Sequence, residues 1–135
     1  MSDQRVLLDT NALLRLAAEP SKVATAAREL IGSPDTTLAV SAVSAWEVSI
    51  KARVGKLPEG KALLNAWDTV VARMRAEVLD ISVGDAITAG DLPWAHRDPF
   101  DRLLVAQAVR HRYVLATSDR AILLDAPVPT LDTRP

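Results

Sequence analysis

The segment from Arg5 to Leu14 reads RVLLDTNALL, and it decides the fold class. Its first four residues form a short, mostly apolar run, which is typical of a buried strand. The run ends at Asp9, and a helical spacing of apolar residues begins at Asn11. A buried strand that leads directly into a helix predicts a sheet of parallel strands with helices packed on its faces.

The same alternation of strand and helix continues along the chain. Further strands are predicted at residues 37–41, 78–82 and 113–117, with a final extended edge strand at 128–131. Helices are predicted from residue 11 onward and at residues 21–30, 42–54, 60–76, 85–89 and 98–112, with a short helical turn after Asp119. We therefore predict one domain over residues 1–135, a three-layer α/β/α fold with a central, mostly parallel sheet of four to five strands.

Composition restricts the chemistry that the chain can perform. It has 135 residues, with 16 Lys and Arg against 17 Asp and Glu, and no cysteine. The lack of Cys excludes disulfides, thiolate zinc sites, iron–sulfur clusters and a cysteine nucleophile, and two histidines exclude a multi-histidine metal site. The net charge of −1, taken alone, argues against a nucleic-acid partner, because such proteins tend to be basic.

No segment resembles a signal peptide or a membrane span. Asp3 and Asp9 interrupt the region where a signal peptide would have its apolar core. No stretch approaches the roughly 18 apolar residues needed to cross a bilayer. We therefore expect a cytoplasmic protein with no membrane partner.

Four acidic residues occupy positions that are unusual for a solvent-exposed carboxylate. Asp9 and Asp119 each follow a predicted strand, at the edge of the sheet where parallel α/β proteins bind ligands. Glu47 lies on the apolar side of its helix, and Asp101 heads the inward-facing row of the helix over 98–112. Each position has an alternative explanation, since the three aspartates fit helix caps and Glu47 fits a buried salt bridge.

Taken together, the four acids indicate a cation site at one edge of the sheet. Two carboxylates ~4 Å apart repel each other by roughly 4 kcal/mol at an effective dielectric of 20. A cluster of four is therefore partly protonated, paired with basic groups, or bound to a cation. Carboxylate oxygens suit Mg²⁺ or Mn²⁺, which activate water and stabilise the charge that builds on a phosphodiester.

The segments LLDTNALL, SAWEVSIK, HRDPFDRLLVAQA and ATSDRAI, in this order, resemble the four acidic motifs of the PIN domain. The resemblance extends from Val6 to about Asp132, and it is closest to the VapC-type ribonuclease toxins of bacterial type II toxin–antitoxin modules. It implies a PIN-like fold and a metal-dependent endoribonuclease that cuts RNA and inhibits translation. It also implies Mg²⁺ or Mn²⁺ as the cofactor, a VapB-like antitoxin as the inhibitor, and a homodimer.

The resemblance also assigns roles to single residues. The catalytic metal site is implied to consist of Asp9, Glu47, Asp101 and Asp119. The residues implied to support it are Asn11, Asp98, Thr117 and Ser118. Basic residues near the motifs predict contacts with RNA phosphates, and those selected are Lys51, Arg97, Arg102 and Arg120. For each of them, a solvated surface charge is the alternative. Neither histidine is predicted to act as a general base, and His96 is considered as an RNA contact.

Four other interpretations stay open at the level of sequence. A non-toxin PIN-domain nuclease and a non-catalytic PIN fold that only binds a ligand would share the four motifs. An aspartate-dependent phosphohydrolase fits Asp9 at the end of a strand, but in the haloacid-dehalogenase style it needs a second Asp where Asn11 stands. A receiver-like signalling domain needs a late Lys, and no Lys follows Lys61.

Overall fold

The structure, a computed structural model, describes residues 4–135. Its strands are β1 (Gln4–Leu8), β2 (Thr36–Ser41), β3 (Glu77–Leu79), β4 (Val114–Thr117) and β5 (Thr130–Asp132). They form one sheet in the order β3-β2-β1-β4-β5, and every strand pair is parallel. The predicted α/β class is therefore confirmed. Asp3, which enters the argument against a signal peptide, lies outside the described residues.

Helices cover both faces of this sheet. They are α1 (Thr10–Ala18), α2 (Thr25–Gly32), α3 (Ala42–Arg53), α4 (Gly60–Asn65), α5 (Trp67–Met74), α6 (Val83–Asp91), α7 (Pro99–His111) and α8 (Arg120–Asp125), with a 3₁₀ helix at Pro20–Lys22. Val6 and Leu8 of β1 pack into one buried cluster and Leu7 into another, because alternate side chains of a strand point to opposite faces. The molecule thus has the three predicted layers. No helix within residues 4–135 combines the length and apolar character that a bilayer crossing requires.

Three predicted elements differ most from the structure. The helix predicted over residues 21–30 is a short 3₁₀ helix at Pro20–Lys22 followed by α2, which begins only at Thr25 because Val23 is extended. The helix predicted over residues 60–76 is two helices that meet at Ala66, whose N–H donates to the carbonyls of Ala62 and Leu63. Neither glycine nor proline marks this break, so local sequence carries no signal for it. The strand predicted over 78–82 is shorter and begins one residue earlier, as β3, Glu77–Leu79, and Ser82 is the N-cap of the helix that follows.

The connections bring three helix ends to one edge of the sheet. Strand β1 lies between β2 and β4, so the carboxyl ends of these parallel strands are neighbours. Helices α1 and α3 begin directly after β1 and β2. Helix α7 precedes β4, and it must therefore run back across the sheet from this same carboxyl edge. The first turns of all three helices consequently lie around the ends of β1 and β4.

A buried polar network that the sequence analysis did not predict joins α6 to α7. The carboxylate of Asp85 is fully buried and accepts hydrogen bonds from Gln107 (3.0 Å) and Arg110 (2.5 Å). Burial raises the pKa of Asp85, but the bonds from Gln107, Ser82 and Arg110 outweigh it and lower the pKa to about 2. Gln107 also accepts from Ser41, the cap of α3, at 2.5 Å. This network ties α7 to the start of α3.

Candidate active site at the carboxyl edge of the sheet

Asp9 lies directly after β1 and is 4% exposed. Its Oδ1 accepts a hydrogen bond from the N–H of Ala12 at 2.7 Å, which makes it the N-cap of α1. Burial raises the pKa of Asp9 to about 6, although the hydroxyl of Thr117 and the Ala12 N–H oppose the shift. The charges of Asp101 and Asp119 raise the pKa further, so these carboxylates lie close enough to repel one another.

Asp119 lies two residues beyond the end of β4, and β4 is the neighbour of β1 in the sheet. Its backbone N–H donates to the hydroxyl of Thr117 at 3.0 Å, and its Oδ1 caps α8 by accepting from the N–H of Ala121 at 2.8 Å. Thr117 is fully buried, whereas Ser118 is partly exposed. Thr117 therefore supports the backbone that carries Asp119.

Asp101 lies in the first turn of α7, behind the N-cap residue Asp98. The Oδ1 of Asp98 accepts from the N–H groups of Phe100 (2.8 Å) and Asp101 (3.1 Å). The Oδ2 of Asp101 lies 2.7 Å from Nε2 of His96. Burial raises the pKa of Asp101 to about 6, the hydrogen bond with His96 lowers it, and the charges of Asp98 and Asp119 raise it.

Glu47 points inward from α3 and is 6% exposed, as its place on the apolar side of the helix predicts. Its Oε2 accepts a hydrogen bond from Nζ of Lys51, one turn later, at 2.6 Å. That bond, together with the charges of Glu47, Asp98 and Asp101, raises the pKa of Lys51 above its usual value, against the effect of burial. Glu47 and Asp101 therefore both lie near Lys51, a residue for which the sequence predicted an RNA contact.

The four acids share one region, but they are not assembled as ligands of a single ion. Within residues 4–135, no three Asp, Glu or His side chains come close enough together to hold a metal between them. The two strand-end aspartates each use an oxygen at a helix N-terminus, while Glu47 and Asp101 contact a lysine and a histidine. The donor set still fits Mg²⁺ or Mn²⁺, because it consists of carboxylate oxygens whose mutual repulsion a cation would relieve. Ion binding therefore requires side-chain movement.

Comparisons with known proteins identify the family of this chain. A model of the PIN domain family matches residues 6–126. The chain belongs to the PIN domain family. It is 33% identical to Ribonuclease VapC22 of Mycobacterium tuberculosis over 118 residues, which cover 87% of this chain and 88% of that protein. The resemblance to VapC-type PIN domains is thereby confirmed, and it replaces the phosphohydrolase and receiver interpretations.

Solved structures share the fold of this PIN domain. VapBC2 from Rickettsia felis, bound to a DNA fragment from its promoter, superposes with a TM-score of 0.71 at 18% identity, covering 98% of this chain and all of that chain. DNA-bound VapBC from Salmonella typhimurium superposes with a TM-score of 0.66 at 17% identity, covering 96% of this chain and 98% of that chain. At these identities the likeness concerns the fold.

Within this PIN domain, Arg102, for which a phosphate contact is predicted from the sequence, has a structural role. Its guanidinium donates at 2.6–3.3 Å to backbone carbonyls of one segment, those of Ala89, Gly90, Leu92, Trp94 and His96. A cation suits this place, because the last carbonyls of a helix have no partner within it and carry the negative end of its dipole. The bonds hold the segment that brings His96 to Asp101.

The other residues selected from the sequence are accessible. Asn11 on α1, Arg97 just before α7, and Arg120 at the start of α8 are all exposed. Trp94, which no sequence motif identifies as part of the site, is 9% exposed and stacks on the ring of His96 with centroids 4.6 Å apart. Nothing in the local sequence shows that these two rings stack, because the segment that holds them has no regular periodicity.

Arg102→Met should lower the free energy of unfolding by about 2–4 kcal/mol, because it removes charge-assisted hydrogen bonds and leaves helix-end carbonyls unpaired. Urea unfolding followed by circular dichroism measures the change. The matched control is Arg97→Met, which removes an exposed arginine nearby and should shift stability by at most about 0.5 kcal/mol. Equal losses in the two variants would contradict the structural role of Arg102.

Proposed function

We propose that this PIN domain is a metal-dependent endoribonuclease and the toxin of a toxin–antitoxin module. The observation that carries the proposal is the group of carboxylates at the carboxyl edge, with the pKa values of Asp9 and Asp101 both raised to about 6. Such pKa shifts concentrate at functional sites. Like charges that are buried together lower the stability of the fold, so proteins keep them where function requires them. The 33% identity to a protein named as a ribonuclease supports RNA as the substrate.

Mg²⁺ or Mn²⁺ is the proposed cofactor, and its proposed ligands are Asp9, Glu47, Asp101 and Asp119. When bound, the ion supplies Lewis-acid activation of water and neutralises charge that builds on the phosphodiester. The chain's own contribution is to hold the carboxylates in place. The Ala12 N–H fixes one oxygen of Asp9, the Thr117 hydroxyl anchors the backbone of Asp119, and His96 fixes one oxygen of Asp101.

RNA binding is proposed to depend on exposed cations around these acids. Arg97 and Arg120 lie beside the third and fourth motifs, and both are exposed. Apart from the four proposed ligands, the chain has 13 acidic residues against 16 basic ones, so the chain as a whole is positive once the site is neutralised. Contacts of such cations with phosphates weaken as the salt concentration rises.

The proposed partners are a VapB-like antitoxin and a second copy of this chain, in the cytoplasm. The VapBC complexes among the solved structures support the antitoxin. Large apolar side chains on α3 and α6 support the dimer, because exposed apolar patches often mark protein–protein contacts. These side chains, with their exposed fractions, are Trp46 (48%), Ile50 (40%), Val83 (77%) and Ile87 (67%). Analytical ultracentrifugation, with and without the antitoxin, measures both associations.

Removal of the metal should abolish the activity. With Mg²⁺ or Mn²⁺ the purified chain is expected to cleave bacterial total RNA at internal sites, and with EDTA in excess cleavage should fall to background. Gel electrophoresis of end-labelled RNA measures the cut, and returning the ion should restore it. A preparation of Asp101→Asn, purified in parallel, controls for contaminating nuclease. Cleavage that persists in EDTA would contradict the metal dependence, and intact RNA in every condition would contradict the ribonuclease.

A further inference from the structure

Lys51 occupies a carboxylate that the proposed metal needs. Its Nζ lies 2.6 Å from Oε2 of Glu47, and a divalent ion would require the same carboxylate oxygens. We propose that Lys51 is a displaceable counter-ion: it neutralises Glu47 while the site holds no metal, and metal binding releases it to contact an RNA phosphate. This inference rests on the proposed function, because it assumes a metal at the four acids.

The burial of the two partners distinguishes this pair from an ordinary ion pair on a helix surface. The side chain of Glu47 is 7% exposed, whereas that of Lys51 is 47% exposed. Lys51 therefore reaches inward from the surface to a carboxylate that would otherwise be buried without a partner, which is unfavourable. Its ammonium is a compact charge on a flexible four-carbon stem, so it can turn outward when another cation replaces it.

The surroundings of Lys51 favour such an exchange. Besides Glu47, the charges of Asp98 and Asp101 act on its ammonium, so it lies among the acids of the site. A divalent ion bound there would attract Glu47 more strongly than a monovalent ammonium does, and it would also repel Lys51. The released side chain would remain beside the site, where a phosphate of bound RNA must lie for the cut.

His96 contacts Asp101 but lacks this freedom to move. Its ring stacks on Trp94 at 4.6 Å and 24°, and its carbonyl accepts from Arg102 at 2.9 Å. Its contact engages Oδ2 of Asp101 and leaves Oδ1 without a side-chain partner among residues 4–135. We therefore assign displacement to Lys51, whereas His96 keeps Asp101 oriented.

Magnesium titration of the chain without RNA tests the first half of the proposal. Isothermal calorimetry should show that Lys51→Met binds Mg²⁺ about tenfold more tightly than the wild type, because the ion no longer displaces an ammonium; tenfold corresponds to about 1.4 kcal/mol. Lys56→Met is the matched control, since Lys56 is an exposed cation just beyond α3, and its affinity should change less than about twofold. Unchanged or weaker Mg²⁺ binding by Lys51→Met would overturn the proposal.

RNA binding tests the second half. With saturating Mg²⁺ and a hydrolysis-resistant phosphorothioate RNA, fluorescence anisotropy should show about tenfold weaker binding by Lys51→Met, and a salt slope reduced by about one. In EDTA the two proteins should bind equally, because Lys51 then stays on Glu47. An equal loss of affinity with and without Mg²⁺ would overturn the release of Lys51.

Two further variants keep the test decisive. Lys51→Arg retains a cation and should bind Mg²⁺ within about twofold of the wild type. If Lys51→Met fails to fold, Lys51→Gln removes the charge but retains a donor for Glu47, and it should show the same tightening. Failure of the proposed function has a different signature, in which the wild type itself neither binds Mg²⁺ nor cleaves RNA. If the wild type binds Mg²⁺ and cleaves RNA, but Lys51→Met and Lys51→Gln bind Mg²⁺ no more tightly than the wild type, the displacement of Lys51 is overturned while the proposed function stands.

Discussion

Asp9→Asn and Asp101→Asn should each lower the rate of RNA cleavage in Mg²⁺ by about 10²–10³-fold, a loss typical of removing one electrostatic group from a catalytic centre. The physical reason is that an amide carries no charge, so each substitution removes one negative ligand from the proposed metal site. Both side chains keep nearly their original volume, and Asn caps a helix about as well as Asp does. Loss of folding is therefore not the expected cause of the effect.

The measurement is the initial rate of cleavage of one labelled RNA at fixed Mg²⁺ concentration. Asp35→Asn is the control, since Asp35 is exposed in the turn before β2, at the opposite edge of the sheet. Its rate should stay within about twofold of the wild type, because a surface charge at that distance is largely screened. Full activity of either Asp9→Asn or Asp101→Asn would contradict the assignment of that residue to the metal site.

Asp9→Asn should also stabilise the metal-free protein at pH 7, by about 2–3 kcal/mol. In the folded protein the pKa of Asp9 is raised from 3.8 to about 6, chiefly because the side chain is buried. A carboxyl group with a raised pKa contributes full stability below pH 3.8 and loses it as the pH rises through 6. At pH 7 the wild type therefore carries the whole cost of the buried charge, and Asn removes that cost while it keeps the cap.

The pH dependence makes this prediction specific. Urea unfolding in EDTA at several pH values should show the variant and the wild type nearly equal at pH 4, with a difference that grows between pH 4 and pH 7. Saturating Mg²⁺ should reduce the difference by stabilising the wild type, because a ligand that binds only the folded state raises its stability. A variant that is less stable at pH 7, or a difference independent of pH, would contradict the proposed cost of the Asp9 charge.

Both predictions concern Asp9→Asn, which should lower the rate of RNA cleavage but raise the stability of the metal-free protein. Natural proteins often keep residues that lower stability where function requires them, and a buried carboxylate with repelling neighbours is such a residue. A purely structural Asp9 would show the reverse pattern, in which loss of the carboxylate costs stability and leaves cleavage intact. Measuring both properties on one variant therefore separates the two roles.

The strand and helix order, and the four acids, could be predicted from the sequence because they depend on local patterns. The apolar run before Asp9 and the periodicity after it are properties of neighbouring residues, and so is the cap-and-proline start of α7 at Asp98. The inward direction of Glu47 follows from its position within one helix, and the structure confirms its burial. The ion pair with Lys51 is also local, since it spans one helical turn.

Other features depend on residues that are distant in sequence or in an irregular segment. From sequence, Arg102 is one cation among several near a motif, and its five carbonyl partners belong to the end of α6 and the irregular segment after it. The partners of Gln107 lie 22 to 66 residues away. A hydrogen bond requires atoms within about 3 Å, and periodicity does not determine which distant groups come that close.

The α/β fold class was therefore visible in the sequence alone, because it depends on periodicity, and the absence of cysteine limited the ligands of any proposed metal to oxygen and nitrogen atoms. The partners of the charged side chains, in contrast, depend on the tertiary structure. The fold placed Lys51 and His96 on two of the four acids and directed Arg102 at the backbone, because a buried charge or polar group without a partner is unfavourable. The segment RVLLDTNALL shows the same division. Its pattern places Asp9 after a strand, whereas the raised pKa of Asp9, about 6, depends chiefly on burial and also on the charges of Asp101 and Asp119, which are distant in sequence.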